Sequence, residues 1–314
     1  MIVIFTGMKL SRRTVRVLVI AAVAIAVLLF VLPAVQSMVT PMPDMVDEMV
    51  RESKEKPPVE GTVHQDLVYK RDVIRRHRLD IYEPVGVEPD GTQPLVVFFH
   101  GGSWLHGDKV TIRIIDRFLR RMREEGYFVA SVNYTTSFYR GLGGPVENAR
   151  EAVRWLGEEA SRFGYDPHKL GLYGVSSGGH LALMAGSTME EQGFSFSFLF
   201  AESSPTDLVA MKEGDAFEHS GVFRVFPERR LEQLSPINYV DADLPPVLLF
   251  HGEQDQTVHV SQSTRYAEAL EDAGGSVELA LYPDGDHAFL NLSDEVWYGQ
   301  ETRALQYFRE QFSR

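Results

Sequence analysis

No cysteine occurs anywhere in the 314 residues. That absence excludes disulfides, thiolate metal sites and lipid attachment through an N-terminal cysteine, and it is compatible with an exported chain that needs no cross-links. The ten histidines include no pair at H-x-x-x-H spacing, so metal catalysis is not implied. Basic residues are scarce, with 31 Lys and Arg against 44 Asp and Glu. Four of the basic residues fall within 1–37, which hold no acidic residue, so the remainder carries 27 against 44. A surface that acidic has no basic patch with which to release counterions from a phosphate backbone, which argues against nucleic acid as a partner. No internal repeat is evident.

Present instead is one long apolar run. Residues 17–35 are uncharged and almost wholly apolar, preceded by Lys9, Arg12, Arg13 and Arg16 and followed by Asp44, Asp47 and Glu48. Nineteen residues at about 1.5 Å each nearly cross a hydrocarbon layer of roughly 30 Å. Residues 1–37 therefore read as a signal anchor or a signal peptide, an N-terminal transmembrane helix if retained, with the cationic flank in the cytoplasm and the bulk of the chain outside. Val35-Gln36-Ser37 fits the small-x-small cleavage pattern poorly, which favours the uncleaved anchor. Ser11-Arg12-Arg13 carries a hint of a twin-arginine signal, and Met8 is an alternative start. Residues 38–61, rich in Pro, Glu, Lys and Met, read as a tether with a single helical turn around 45–55.

From there the pattern becomes regular. Short apolar runs at 63–69 and 79–82 look like edge strands, and 95–99 (Leu-Val-Val-Phe-Phe) has the unbroken apolarity of a strand buried on both faces. Further strands are expected at 128–132, 170–173, 196–200, 247–250 and 277–282. Ile112, Ile115, Leu119 and Met122 recur at helical spacing, as do Ala149, Ala152, Val153, Leu156, Ala160 and Phe163. Helices are also expected after residue 176, over 261–273, and at the end, with Leu305, Phe308 and Phe312 on one side. The alternation predicts an α/β fold with a mostly parallel central sheet covered by helices on both faces, its ligands at the carboxyl ends of the strands. Residues 62–314 form one such domain. The stretch 203–235 breaks the rhythm, mixing Asp207, Glu213, Asp215 and Glu218 with Phe217, Phe223 and Phe226. It reads either as an irregular surface excursion or as a small cap insertion whose phenylalanines cover something apolar.

Chemistry is carried by three segments that each follow a strand. Gly174-Val175-Ser176-Ser177-Gly178 sits between a strand and a helix, the one context in which G-x-S-x-G exposes a nucleophile. His100-Gly101-Gly102-Ser103-Trp104 follows 95–99, and its glycines let backbone amides approach a developing oxyanion. The amides of Gly101, Gly102 and Ser177 are the expected donors. Asp255, in the loop after 247–250, and His287, after 277–282, complete the chain order Ser, Asp, His. A serine hydroxyl needs a base to accept its proton, supplied by His287, and the base needs a carboxylate to hold its tautomer, supplied by Asp255, with Asp284 and Asp286 as competitors. His100 is expected to brace the glycine loop, and Trp104 either lines the substrate pocket or merely packs.

Taken together, 79–84 (Leu-Asp-Ile-Tyr-Glu-Pro), 100–104, 174–180, Ser235-Pro236-Ile237, 251–258 and His287 resemble the α/β-hydrolase superfamily, in its esterase/lipase branch with kynurenine formamidase-like and feruloyl or acetyl-xylan esterase-like proteins. The resemblance covers about 63–312. It implies the α/β-hydrolase fold, a Ser176–His287–Asp255 triad, oxyanion donors at Gly101, Gly102 and Ser177, no cofactor, and a small-molecule ester substrate cleaved through an acyl-enzyme. Many relatives have Ala where Ser177 stands, so an added hydroxyl is expected near the pocket. Amidase, peptidase or N-formyl amide hydrolysis on the same triad is the alternative, and a non-catalytic binding domain of the same fold is a more remote one. The catalytic domain is expected outside the cytoplasm, anchored to the membrane or secreted if the N-terminal segment is cleaved.

Overall fold

The expected strands all form, and they join one eight-stranded sheet. They are β1 (Val63–Val68), β2 (Arg78–Tyr82), β3 (Gln93–Phe99), β4 (Phe128–Val132), β5 (Tyr165–Val175), β6 (Phe198–Glu202), β7 (Val247–Gly252) and β8 (Val277–Tyr282). The computed structural model describes residues 42–71, 77–136, 141–189, 192–213 and 226–314. The expected membrane segment within 1–37 lies outside them. Among the described residues no helix is long and apolar enough to cross a membrane.

The sheet order is β1-β2-β4-β3-β5-β6-β7-β8. The pairs β1·β2 and β2·β4 are antiparallel and the remaining pairs parallel. The strand at 79–82, expected at an edge, is an interior strand with β1 outside it. Strand side chains alternate between the two faces. Leu95, Val97 and Phe99 therefore enter one apolar cluster while Val96 and Phe98 enter the other. In the same way β6 sends Leu199 and Ala201 to the first, and Phe198 and Phe200 to the second. Helices cover both layers, which is why these strands lack polar alternation.

The first face is closed by α3 (Gly143–Phe163), α4 (Ser177–Gly186) and α7 (Ser261–Asp272), through Ala152, Leu156, Leu183, Tyr266 and Leu270 among others. The second is closed by α2 (Asp116–Glu124) and α8 (Asp294–Phe312). The helical spacing of Ile112 to Met122 spans two elements, since a 3₁₀ helix (Lys109–Arg113) precedes α2 and Ile115 between them leaves helical geometry. The apolar spacing recorded the buried face, which continues across the kink.

The stretch 38–61 departs from expectation. It holds α1 (Met42–Glu55), on which Val46, Met49, Val50 and Ser53 recur at i, i+3, i+4 and i+7 and turn inward, Val46 largely and Ser53 fully buried. That face is narrow and surrounded by charge, so the sequence looks like a tether, yet it suffices to seat the helix on the 3₁₀ helix. Lys56 Nζ donates to the Arg113 carbonyl at 2.6 Å and the Arg113 guanidinium donates to the Pro57 carbonyl, fastening the end of the segment. Of the stretch 203–235, residues 214–225, with Phe217 and Phe223, lie outside the described residues. Its flanks form α5 (Leu208–Glu213) and α6 (Glu228–Glu232), and Leu208, Met211, Leu231 and Leu234 are buried in the first-face cluster.

Phe198 is the hub of the second layer, stacked on Phe308 at 4.3 Å between ring centres and edge-on to Phe312 at 5.1 Å. Phe198→Ala removes a fully buried ring and leaves a cavity, at a cost of about 3–5 kcal/mol. The urea midpoint should fall accordingly; a change under about 1 kcal/mol would contradict this packing.

Candidate active site

The turn that carries Ser176 is built by close approach. Ser176 links β5 to α4 with φ 55° and ψ −124°, a region that side-chain-bearing residues seldom occupy. A Cβ on Gly174 would lie 2.3 Å from the Gly178 backbone, and one on Gly178 would lie 2.0 Å from the Phe99 carbonyl oxygen. Any larger residue at either position would push β5, α4 and β3 apart. The Ser176 N–H donates to the Glu202 carbonyl at 2.7 Å, so the neighbouring strand holds the turn.

His287 arrives on the loop after β8. His287 Nε2 lies 3.1 Å from Ser176 Oγ and Nδ1 lies 2.8 Å from Asp255 Oδ2. Because the carboxylate can only accept, Nδ1 carries the proton and Nε2 is left to accept from the serine hydroxyl. The loops after β7 and β8 are zipped together by Glu253 N–H to Tyr282 O and Gln254 N–H to Gly285 O, both at 2.9 Å. This zip is what brings residues 255 and 287 together. Asp286 and Asp284 shape the turn instead: Asp286 accepts from the Asn291 N–H at 3.1 Å and the Asp284 carbonyl accepts from Asn291 Nδ2 at 2.7 Å. Asp255 Oδ1 accepts the Thr257 and Val258 amides, both at 2.8 Å, and Oδ2 also lies 3.3 Å from Nε2 of the buried His251. Burial opposes ionisation of Asp255, but the hydrogen bonds from His251 and His287, the His287 charge and the Val258 amide outweigh it and hold the carboxyl well below the usual range.

Gly101 and Gly102 line the same cavity as Ser176 and His287. Gly102 has φ 125°, and a Cβ there would meet the His106 carbonyl oxygen at 2.4 Å, so only glycine fits this turn. His100 braces the loop: its ring stacks on Tyr134 at 4.3 Å, and the Tyr134 hydroxyl donates to the His100 carbonyl at 2.7 Å. Ser177 begins α4 with its side chain buried, and its hydroxyl has no hydrogen-bond partner among the described groups and does not line the cavity, so it adds no polarity there. Trp104 does not line the cavity either. Its indole is buried and donates to His180 Nδ1 at 3.1 Å, while His180 Nε2 faces the Leu234 carbonyl at 2.7 Å. Burial pushes the His180 pKa down to about 4, against the Leu234 hydrogen bond, so the ring is neutral and can accept from the indole. Trp104 and His180 thus tie the glycine loop to α4 and the α6 end.

Glu202 escaped sequence reasoning. It ends β6, is buried, and lines the cavity beside Ser176, with its Oε2 3.4 Å from the Tyr173 hydroxyl. Burial raises its carboxyl to about 8, opposed by the Tyr173 hydrogen bond and reinforced by Glu301, so it is protonated at neutral pH. A carboxyl closing the apolar run Phe198-Leu199-Phe200-Ala201 was the available signal.

This geometry, on this sheet order, defines an α/β-hydrolase of the esterase branch. The BD-FAE family model matches residues 79–270, and the chain belongs to that family. The match includes Ser176 and Asp255 and ends before His287. Isoprenylcysteine alpha-carbonyl methylesterase ICME from Arabidopsis thaliana is 29% identical over 250 residues, 72% of this chain and 57% of that protein. Esterase LipQ from Mycobacterium tuberculosis is 27% identical over 241 residues, 68% and 55% of the respective lengths. The chain thus spans little more than half the length of these relatives. Among solved structures, a truncated carbohydrate esterase from gut microbiota shares the fold, with a TM-score of 0.71 at 22% identity over 82% of this chain and 100% of that one. A propionate-bound esterase from Thermogutta terrifontis gives a TM-score of 0.62 at 26% identity over 80% and 94%.

Glu202 makes stability depend on pH. Its carboxyl ionises near 4.5 when unfolded and near 8 when folded, so its stabilisation is complete below 4.5 and lost as pH rises towards 8. Glu202→Gln does not titrate. Its stability relative to the native chain should rise by on the order of a few kcal/mol between pH 5 and 8 in urea denaturation. A difference independent of pH would show that Glu202 is not held protonated.

Proposed function

We propose that this chain is a serine carboxylic-ester hydrolase working through an acyl-enzyme intermediate. The observation that carries the reading is the Ser176–His287–Asp255 line of 3.1 and 2.8 Å contacts beside an apolar cavity. Ser176 Oγ attacks the ester carbonyl carbon while His287 Nε2 takes its proton. The carbonyl π electrons move to oxygen, where the Gly101, Gly102 and Ser177 amides donate to the oxyanion. Collapse breaks the bond to the alcohol oxygen, which leaves with the proton from His287. Water then attacks the acyl-enzyme by the same route and releases the acid. Asp255 keeps Nδ1 protonated and balances the imidazolium without taking the proton. Relatives named as methylesterase and esterase support an ester over an amide substrate.

We also propose that the apolar run 17–35 places the domain outside the cytoplasm, as a membrane anchor or, if cleaved, a signal peptide; its length and cationic flank support this. Expressed in a bacterium, the full chain should become accessible to protease added to spheroplasts. Protection until lysis would refute the proposal.

The purified full chain should release p-nitrophenol from short-chain p-nitrophenyl esters with a pre-steady-state burst. Ser176→Ala should abolish the burst and lower kcat by about 10⁴-fold or more. Equal turnover by native chain and variant would exclude Ser176 as the nucleophile.

A further inference from the structure

The cavity beside Ser176 is not walled by the hydrolase sheet and its loops alone. Met45, Val46 and Met49 of α1 line it together with Ile114, Ile115 and Trp297. These α1 residues occupy one side of a helix that is seated on the 3₁₀ helix and fastened at Lys56 and Pro57, as described above. Seven large apolar side chains are exposed among the described residues, and two of them, Met45 at 39% and Leu290 at 48%, line this cavity. Its entrance as well as its walls is therefore apolar.

We infer that α1 is a specificity element of the active site, forming with Trp297 and Ile114 the seat for an aliphatic chain of the ester. The inference rests on the ester-hydrolase reading of Ser176 and names the substrate class within it, an ester with a nonpolar chain of several carbons on the acyl or the alcohol side. The chemistry of the walls recognises such a chain. Unbranched thioethers at 45 and 49 adapt to a flexible hydrocarbon. The one carboxyl lining the cavity, Glu202, is protonated at neutral pH and offers no counter-charge to a cationic chain. Each methylene removed from water against these walls should raise kcat/KM by about fourfold. The catalytic residues all lie within 62–314, so the segment that precedes that domain would set selectivity without taking part in bond breaking.

The test uses the purified full chain with two monomeric substrate series: p-nitrophenyl esters from acetate to octanoate, and alkyl acetates from methyl to octyl. One series should show kcat/KM rising with chain length, and which series does so assigns the cavity to the acyl or the alcohol side. In that series Met49→Ser should lower the ratio of kcat/KM for eight-carbon to two-carbon chains by about tenfold or more. Met49→Leu should restore most of the ratio, and Glu48→Ala, on the exposed side of α1, should leave it unchanged. If Met49→Ser does not fold, Met45→Ser at the exposed entrance carries the same comparison. Ratios unaffected by both serine variants, or absence of chain-length dependence in both series, would overturn the role of α1 while leaving ester hydrolysis standing. No hydrolysis of any ester in either series would remove the ester reading and this inference with it.

Discussion

The structure depends on one backbone contortion, the positive φ of Ser176. A serine held there at the end of β5 has its hydroxyl 3.1 Å from His287 Nε2. Such a conformation costs on the order of 1–3 kcal/mol and survives only where the surroundings over-determine it. Here the surroundings do so three times: by the packing of Gly174 on Gly178, by the packing of Gly178 on the Phe99 carbonyl, and by the Ser176 N–H bond to Glu202. Relieving these restraints together would let the turn relax and take the hydroxyl away from His287.

The strands around this turn supply the remaining groups because parallel strands end together. β3 delivers the glycine loop, β5 Ser176, β7 Asp255 and β8 His287, all at one sheet edge. Alignment of strand ends brings the groups within reach, and the loop zip between residues 253–254 and 282–285 sets the last few ångströms. The Ala288 N–H also donates to Ser203 Oγ at 3.2 Å, tying the His287 turn to the end of β6. Site geometry and core packing are one construction here, since the sheet that buries Phe198 and Leu199 also carries Glu202 and Ser203 to the site.

Much of this was legible in the sequence, and what was not has physical reasons. Interior strands buried on both faces announce themselves as apolar runs, and the two edge strands, β1 and β8, as short half-buried runs, so all eight could be read. Ser176, Asp255 and His287 each follow such a run, so their placement at one edge followed from chain order. Trp104 was ambiguous, because residues 102–104 all have positive φ and only the folded turn decides that the indole points to His180 rather than into the cavity. Helix α1 was legible only as a single turn around 45–55, for a different reason: its inward face is only four residues, and its stability comes from a distant partner, Lys109–Arg113, that no local pattern announces. Glu202 and His251 were hidden likewise, since a carboxyl or imidazole at a strand end takes its meaning from groups that other strands bring beside it.

The account stands on Ser176 forming a covalent bond to the acyl group during turnover. Rapid acid quench of the full chain mixed with a p-nitrophenyl ester, followed by intact and peptide mass spectrometry, reads that bond directly. The account predicts the added mass of one acyl group on the peptide containing Ser176, appearing before steady state and lost as substrate is exhausted. Ester turnover with that peptide unmodified, or with the acyl group on another side chain, would contradict it.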